Sequence, residues 1–227
     1  MTAYKKIKKC RICKNKNLKL VVNLNNQYIQ GSFVKKKFPP IYKKKIPLQL
    51  VLCKNCSLLQ ASYSVSPKLL YKNYWYSSGI NHTMRSHLKT LSKTSLNLLK
   101  NSQIPYKKIN ILDIGCNDGT LLKCFPNSIN KFGIDPSQIS KKINDKKIKI
   151  INDFFPSKKL IKNSKLNKFH LITSIAMFYD LQDPVEFARD VESLLTPNGI
   201  WVLEQSYLPL MIKNNAFDTI CHEHIEY

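Results

Sequence analysis

Four of the seven cysteines in this chain fall into two C-x-x-C pairs, Cys10-Arg11-Ile12-Cys13 and Cys53-Lys54-Asn55-Cys56. Two such knuckles offer four thiolates to a tetrahedral zinc ion, and a short, loop-rich segment needs a metal of that kind in order to fold. Redox-active pairs share the C-x-x-C spacing and are the other chemistry open to them. With four protein ligands a zinc site is closed, so Cys10, Cys13, Cys53 and Cys56 are assigned a structural metal and no catalysis.

The second stretch with chemical content is Asn110-Ile111-Leu112-Asp113-Ile114-Gly115-Cys116-Asn117-Asp118-Gly119-Thr120-Leu121-Leu122. An apolar run ends in an acid, glycines follow at 115 and 119, and helical spacing resumes, so it reads strand, tight turn, helix. Gly115 permits a tight turn and a close ligand, Gly119 close helix packing, and N–H groups at the helix start face the ligand. The spacing D-x-G-x-x-x-G differs from the dinucleotide fingerprint. Asp113 and Asp118 repel a diphosphate and tolerate a ligand that carries positive charge, such as S-adenosylmethionine.

Two further acids follow apolar runs. Phe132-Gly133-Ile134-Asp135 places a carboxylate about 20 residues past the turn, where one accepts both ribose hydroxyls in a doubly wound sheet. Ile148-Lys149-Ile150-Ile151 runs into Asn152-Asp153-Phe154-Phe155, in which Asp153 and Phe154 suit an adenine amino group and ring face. Asp113, Gly115, Asn117, Asp118, Gly119, Asp135, Asp153 and Phe154 are therefore the candidate cofactor residues.

The elements that must hold these residues alternate. Strands are expected at 110–113, 131–135, 148–151, 169–174 and 200–204, with an amphipathic helix over 82–101 (Met84, Leu88, Leu91, Leu98 and Leu99 on its face) and a short helix from Pro136-Ser137. A further helix is capped by Asp183-Pro184-Val185-Glu186 and stops near Thr196-Pro197-Asn198-Gly199. That order predicts an α/β fold with a parallel sheet, preceded by the small zinc-binding module. Residues 1–62 form that module and 63–105 an aromatic linker and helix. Residues 106–227 form the cofactor-binding domain. The linker carries Tyr63, Tyr71, Tyr74, Trp75 and Tyr76, which either pack on the next domain or meet sugar hydroxyls.

Composition bounds the rest. The chain has 227 residues and a formal net charge of +23, from 37 Lys and Arg against 14 Asp and Glu. Clustered cations would bind phosphates by counterion release, but the lysines are spread through the loops, with runs only at Lys5-Lys6, Lys35-Lys36-Lys37 and Lys43-Lys44-Lys45, so nucleic acid is not the expected partner. A sugar nucleotide equally suits a basic surface. No apolar run spans a membrane and the N-terminus has no secretory core, so a cytoplasmic protein is expected.

Taken together, the knuckles, Tyr76-Ser77-Ser78-Gly79 with Thr83-Met84-Arg85, Asp113-Ile114-Gly115 with Asn117-Asp118-Gly119, and Asp218-Thr219-Ile220-Cys221-His222-Glu223-His224 resemble class I S-adenosylmethionine-dependent methyltransferases. More narrowly, they resemble nucleotide-sugar C-methyltransferases with an N-terminal zinc-binding domain. The resemblance implies a Rossmann-like class I methyltransferase sheet and methyl transfer to a carbon beside the ketone of a nucleoside-diphosphate-linked deoxysugar. His224 is then the base that removes the carbon-bound proton, Glu223 orients a partner or binds substrate, and Tyr76 and Tyr179 line the reaction site. Cys221 stands where the family often has an acid/base tyrosine, and Tyr179 where it often has histidine. Read without the resemblance, H-E-H is a solvated helix or loop end. Related proteins continue past H-E-H-x-x-Y, so the resemblance implies a sheet without its final strands and leaves three expectations open: a split protein with a complementing C-terminal polypeptide as its partner, a degenerate fragment, or a part of a longer chain. From a different class, a basic zinc-containing nucleic-acid-binding protein without catalysis is the rival reading, with RNA methylation a third.

Overall fold

The structure, a computed structural model, describes residues 3–30, 44–71, 74–99, 104–160 and 168–227. The lysine run at 35–37, Lys43 and the expected helix end at Asn101 lie outside these residues. The chain divides into two compact units, one of 1–70, 178–186 and 205–227, the other of 71–177 and 187–204.

In the second unit five parallel strands form one sheet in the order β10-β9-β6-β7-β8. They are β6 (Asn110–Ile114), β7 (Asn130–Ile134), β8 (Ile148–Ile151), β9 (Phe169–Ile175) and β10 (Leu195–Glu204). The central run Ile111-Leu112-Asp113-Ile114 is buried throughout, as a parallel strand covered on both faces must be. Chain order runs outward from β6 through β7 to β8 and then resumes on the other side with β9 and β10. The C-terminal end of β6 is thus the topological switch point, the crevice where open α/β sheets take their ligands.

One face of this sheet packs on helices α2 (His82–Leu99) and α3 (Thr120–Cys124) through Leu88, Leu99, Ile111, Leu121, Leu122, Ile148 and Leu171. Asn81 caps α2, its Oδ1 accepting the N–H groups of Thr83 and Met84 at 2.8 and 3.3 Å. The face that α2 buries is Leu88, Ser92, Ser95 and Leu99, spaced four, three and four residues apart; Leu98, expected on that face, points outward at 51% exposure. Aromatic rings lie elsewhere in the unit: Phe132 against Phe169 at 5.4 Å and Phe187 between Phe155 and Trp201.

Two local expectations change. Pro136-Ser137 opens no α-helix, because Ser137 N–H donates to Asp135 Oδ1 and the Asn152 amide bonds Asp135 O, Ser137 O and Ser140 Oγ. These bonds hold the backbone in a turn that reaches only a 3₁₀ segment at Ser140–Lys142. Helix α4 (Pro184–Leu194) starts as expected, with Glu186 N–H donating to Asp183 Oδ1 at 3.3 Å, but pairing to β9 resumes at Leu195, shifts register, and continues from Ile200.

The first unit holds a three-stranded antiparallel sheet in the order β2-β3-β4 and a pair β1-β5. These are β1 (Tyr4–Lys6), β2 (Leu18–Gln27), β3 (Ile46–Cys53), β4 (Leu59–Ala61) and β5 (Tyr63–Val65). Helices α1 (Pro67–Tyr71) and α5 (Leu208–Lys213) are short. Tyr63, expected in a linker, is therefore a strand residue paired with Lys6. The segment 225–227 lies along β4: Ala61 N–H donates to Ile225 O at 2.9 Å, Tyr227 N–H to Leu59 O at 3.0 Å, and Gln60 bridges Glu226. Ile225 packs there with Leu50 and Ala61. No helix among the described residues is long and apolar enough to cross a membrane.

Candidate active site and metal centre

The cysteines of both knuckles converge. Cys10 Sγ lies 3.6 Å from Cys56 Sγ and Cys13 Sγ 3.5 Å from Cys53 Sγ, and all four sulfurs are within 4.8 Å of one another. Zinc–sulfur bonds of about 2.3 Å in a tetrahedron put sulfurs roughly 3.7 Å apart, so the donor set and spacing fit zinc. The Asn15 backbone and the neighbouring thiols draw the Cys13 thiol down to about 6, toward the thiolate that a metal requires. Gln60, fully buried, donates from Nε2 to Cys10 Sγ at 3.2 Å; it is a partner that cysteine spacing alone does not announce.

In the second unit the turn after β6 is built around two glycines in the left-handed region, Gly115 at φ 76° and Gly119 at φ 74°. A side chain at Gly115 would meet Met177 Cγ at 3.2 Å. Gly119 is the left-handed N-cap of α3 and also lies in close packing, since a side chain there would meet Ile143 Cδ1 at 3.1 Å. Asp113 is buried at the end of β6 and accepts a hydrogen bond from Thr173 Oγ1, its register neighbour on β9, at 2.7 Å. Burial pushes its carboxyl up to about 7, opposed by the Thr173 bond and aided by the nearby Asp135. Asp135, buried at the end of β7, accepts Asn117 N–H on Oδ2 at 2.9 Å and Ser137 N–H on Oδ1 at 2.7 Å. Each of its oxygens keeps a second lone pair for a ribose hydroxyl. Asp153 is exposed after β8, accepting the N–H of Phe154 at 2.9 Å.

Asn117 and Asp118 fasten the segment of Tyr76 to Gly79. Asn117 Nδ2 donates to Tyr76 O at 2.8 Å and its Oδ1 accepts Ser78 N–H at 3.0 Å. Asp118 Oδ2 accepts Gly79 N–H at 2.7 Å and the Ser77 hydroxyl. Its Oδ1 accepts the N–H and hydroxyl of Thr120. Both Asp118 oxygens are thus engaged within the protein, and the first N–H of α3 is already held instead of facing outward. These bonds outweigh the cost of burial and keep the Asp118 carboxyl low. Arg85 closes the same segment by donating to the carbonyls of Gly79 and Ile80 at 2.7 and 3.0 Å. Tyr76 stacks edge-on with Tyr74 and Trp75.

The H-E-H stretch lies in the first unit and its two histidines differ. His222 is buried, its ring nitrogens 2.6 Å from Gln30 Oε1 and 3.2 Å from Ile46 O; it holds the fold. His224 has Nδ1 2.7 Å from Thr219 O. A carbonyl can only accept, so Nδ1 carries the proton and Nε2 keeps its lone pair. Burial lowers the His224 pKa, keeping the ring neutral, and the Thr219 bond works in the other direction. The ring stands edge-on to Tyr179 at 4.6 Å, whose carbonyl accepts the N–H groups of Ile225 and Glu226. Burial raises Glu223 to about 7 and Cys221 to about 11. One donor atom from each of Cys221, Glu223 and His224 falls within 4.8 Å of the others. Of the four acid/base candidates, Tyr179, Glu223 and His224 thus share the first unit, and Tyr76 lies in the second with the cofactor candidates.

A parallel sheet with left-handed glycines and buried acids at its switch point defines a Rossmann-like nucleoside-binding domain. Residues 81–227 match a family model described as a methyltransferase domain, and residues 10–71 one described as a zinc binding domain. The chain belongs to the methyltransferase-domain family, with S-adenosylmethionine as its cofactor and zinc as the metal of its four-cysteine cluster. The C-methyltransferase NovU of Streptomyces niveus is 24% identical over 226 residues, covering 97% of this chain and 52% of NovU; the chain spans about half the length of that relative. Among solved structures, the plantazolicin methyltransferase BpumL in complex with a pentazolic desmethylPZN analog and SAH has a TM-score of 0.48 at 16% identity, covering 60% of this chain and 53% of BpumL. The CcbJ methyltransferase from Streptomyces caelestis has 0.42 at 13%, covering 51% and 47%. Likenesses this distant add nothing to the fold already visible in the strand order.

Proposed function

We propose that this chain carries the cofactor-binding and acid/base residues of a C-methyltransferase that acts beside the ketone of a nucleoside-diphosphate-linked deoxysugar. The observation that carries the reading is His224, whose Nδ1 proton is held by Thr219 O so that Nε2 is available as a base. A ring carbon becomes nucleophilic only after a base removes its proton and the oxygen of the resulting enolate is stabilised. His224 Nε2 takes that proton, and Glu223 and Tyr179 orient the base and the sugar. When bound, S-adenosylmethionine supplies an electrophilic methyl group. His224 would keep the abstracted proton while the enolate carbon accepts that methyl group. On the cofactor side, Asp135 takes the ribose hydroxyls and Asp153 with Phe154 the adenine. Gly115, Asn117 and Gly119 would shape the turn that holds the cofactor, and Asp113 would supply negative charge to a ligand that carries positive charge. The relative named a C-methyltransferase supports carbon as the acceptor; the sugar rests on the resemblance of the Tyr76 to Gly79 and H-E-H segments.

The test separates proton removal from methyl transfer. Incubated with a keto-deoxysugar nucleotide in deuterated water, the protein should exchange the proton beside the ketone, read by mass spectrometry. His224→Gln should lower that rate by about 10²–10⁴-fold while calorimetry shows unchanged S-adenosylmethionine binding. Exchange that survives His224→Gln would remove His224 as the base, and no exchange on any keto-sugar nucleotide would remove the substrate class.

A further inference from the structure

The zinc centre and the segment carrying His224 share one strand. We infer that Gln60 is a positioning residue that couples the four-cysteine cluster to the proposed base. The inference rests on the reading of His224 above for its catalytic consequence, but not for its structural one.

Gln60 lies on β4 and is fully buried. Its side chain faces the first knuckle twice over: Nε2 donates to the zinc ligand Cys10 Sγ at 3.2 Å, and Oε1 accepts Arg11 N–H at 3.0 Å and Arg11 Nη1 at 3.3 Å. Its backbone bridges Glu226, and on either side Leu59 O and Ala61 N–H bond Tyr227 and Ile225. His224 is the residue just before that paired stretch. The knuckle also grips β4 directly, because Arg11 Nη1 donates to Ala61 O at 2.7 Å and Nη2 to Ser64 Oγ at 2.7 Å. Arg11 and Glu226 are both buried.

A zinc-bound thiolate is a fixed, charged acceptor, and partners of metal ligands are held in register by it. The Gln60 amide has one orientation that satisfies both Cys10 Sγ and Arg11, so a correctly held Cys10 fixes β4, and β4 fixes residues 225–227. Loss of the amide leaves a buried guanidinium and a thiolate each short of a partner. The coupling therefore runs from metal to knuckle, to Gln60 and Arg11, to the tail, and ends at the orientation of His224.

The experiment uses the full chain with Gln60→Leu, which keeps the bulk and removes both bonds, and Gln60→Glu, which keeps the acceptor for Arg11 and removes the donor to Cys10. Metal content is measured first, and both variants are expected to retain zinc. Hydrogen exchange of the peptide spanning 221–227 should then quicken at least tenfold in Gln60→Leu and by a smaller factor in Gln60→Glu, with exchange in 110–135 unchanged. Sugar-proton exchange in deuterated water should fall in the same order while S-adenosylmethionine affinity holds. Wild-type protection of 221–227 in a zinc-loaded Gln60→Leu chain would overturn the coupling. So would a 221–227 peptide whose protection is unaffected when a chelator strips zinc from the wild-type chain. Should 221–227 loosen as expected while the wild-type chain exchanges no sugar proton, the coupling stands and only the catalytic reading of His224 falls.

Discussion

Asp113 ends the central strand as a carboxylate that has little to stabilise its charge. Burial raises its pKa to about 7, far above its ordinary 3.8, and one hydrogen bond from Thr173 only partly offsets this. The folded state therefore binds a proton there between roughly pH 4 and 7 that the unfolded chain does not. Above pH 7 the buried charge costs stability, and that cost is relieved as pH falls through the folded pKa. Asp113→Asn is expected to stabilise the ligand-free protein at pH 8, by about 4 kcal/mol at most, read as a higher melting temperature, and by progressively less as pH falls from about 7 towards the ordinary carboxyl value of 3.8. A cation beside Asp113 favours the ionised form, so wild-type affinity for S-adenosylmethionine should weaken as pH drops below 7. In Asp113→Asn it should be weak and independent of pH. Calorimetry at pH 5.5 and 8 checks both, and a pH-independent wild-type affinity would detach Asp113 from the cofactor. That an acid ends this strand was plain in the sequence. Its burial and its pairing with Thr173, 60 positions away, arise only when β9 is laid beside β6.

At the scale of elements, the turn after β6 is a joint between two segments. The glycines at 115 and 119 were readable as a tight turn because left-handed backbone has a residue preference. The work of Asn117 and Asp118 was not, because the partners of their side chains sit about 40 positions upstream, in Tyr76 to Gly79. Gly79 leaves no room for a side chain: a Cβ there would stand 2.8 Å from Asp118 Oδ2 and 2.8 Å from Thr120 Oγ1. Asp118 Oδ2 already accepts Gly79 N–H and the Ser77 hydroxyl, and Thr120 Oγ1 donates to Asp118 Oδ1, so neither atom can withdraw without disturbing those bonds. Gly79→Ala is expected to cost about 1–3 kcal/mol and to release 76–85 from the turn, seen as faster hydrogen exchange there and several-fold weaker cofactor binding. Gly79→Ala with wild-type exchange and affinity would show that the clamp is dispensable. The same limit on local reading applies in part to α2: Met84, Leu88, Leu91 and Leu99 pack on the core as their spacing indicates, but the buried face also takes in Ser92 and Ser95 and leaves Leu98 outside. It applies again at Pro136-Ser137, where Asn152 overrides a helix start.

For the molecule as a whole, the two units depend on different ligands. The sheet unit, residues 71–177 and 187–204, contains every candidate cofactor residue, whereas the four cysteines and the H-E-H segment belong to the other. Parallel β/α alternation and paired C-x-x-C spacing made both ligands readable from the chain. The return of 178–186 and 205–227 to the zinc-containing unit was not, because backbone pairing such as Ala61 to Ile225 follows no local pattern. Ligands that bind only the folded state stabilise it by mass action, by about 2.7 kcal/mol at a hundredfold excess over Kd. Calorimetric unfolding should accordingly respond in two parts. S-adenosylmethionine should raise the transition reported by exchange in 110–135, and chelation of zinc should lower the one reported by 46–65 and 221–227. A single transition moved equally by both ligands would mean that the units unfold as one cooperative body. Separate responses would mean that the sheet unit keeps its fold, and with it its cofactor affinity, when zinc is lost from the other unit.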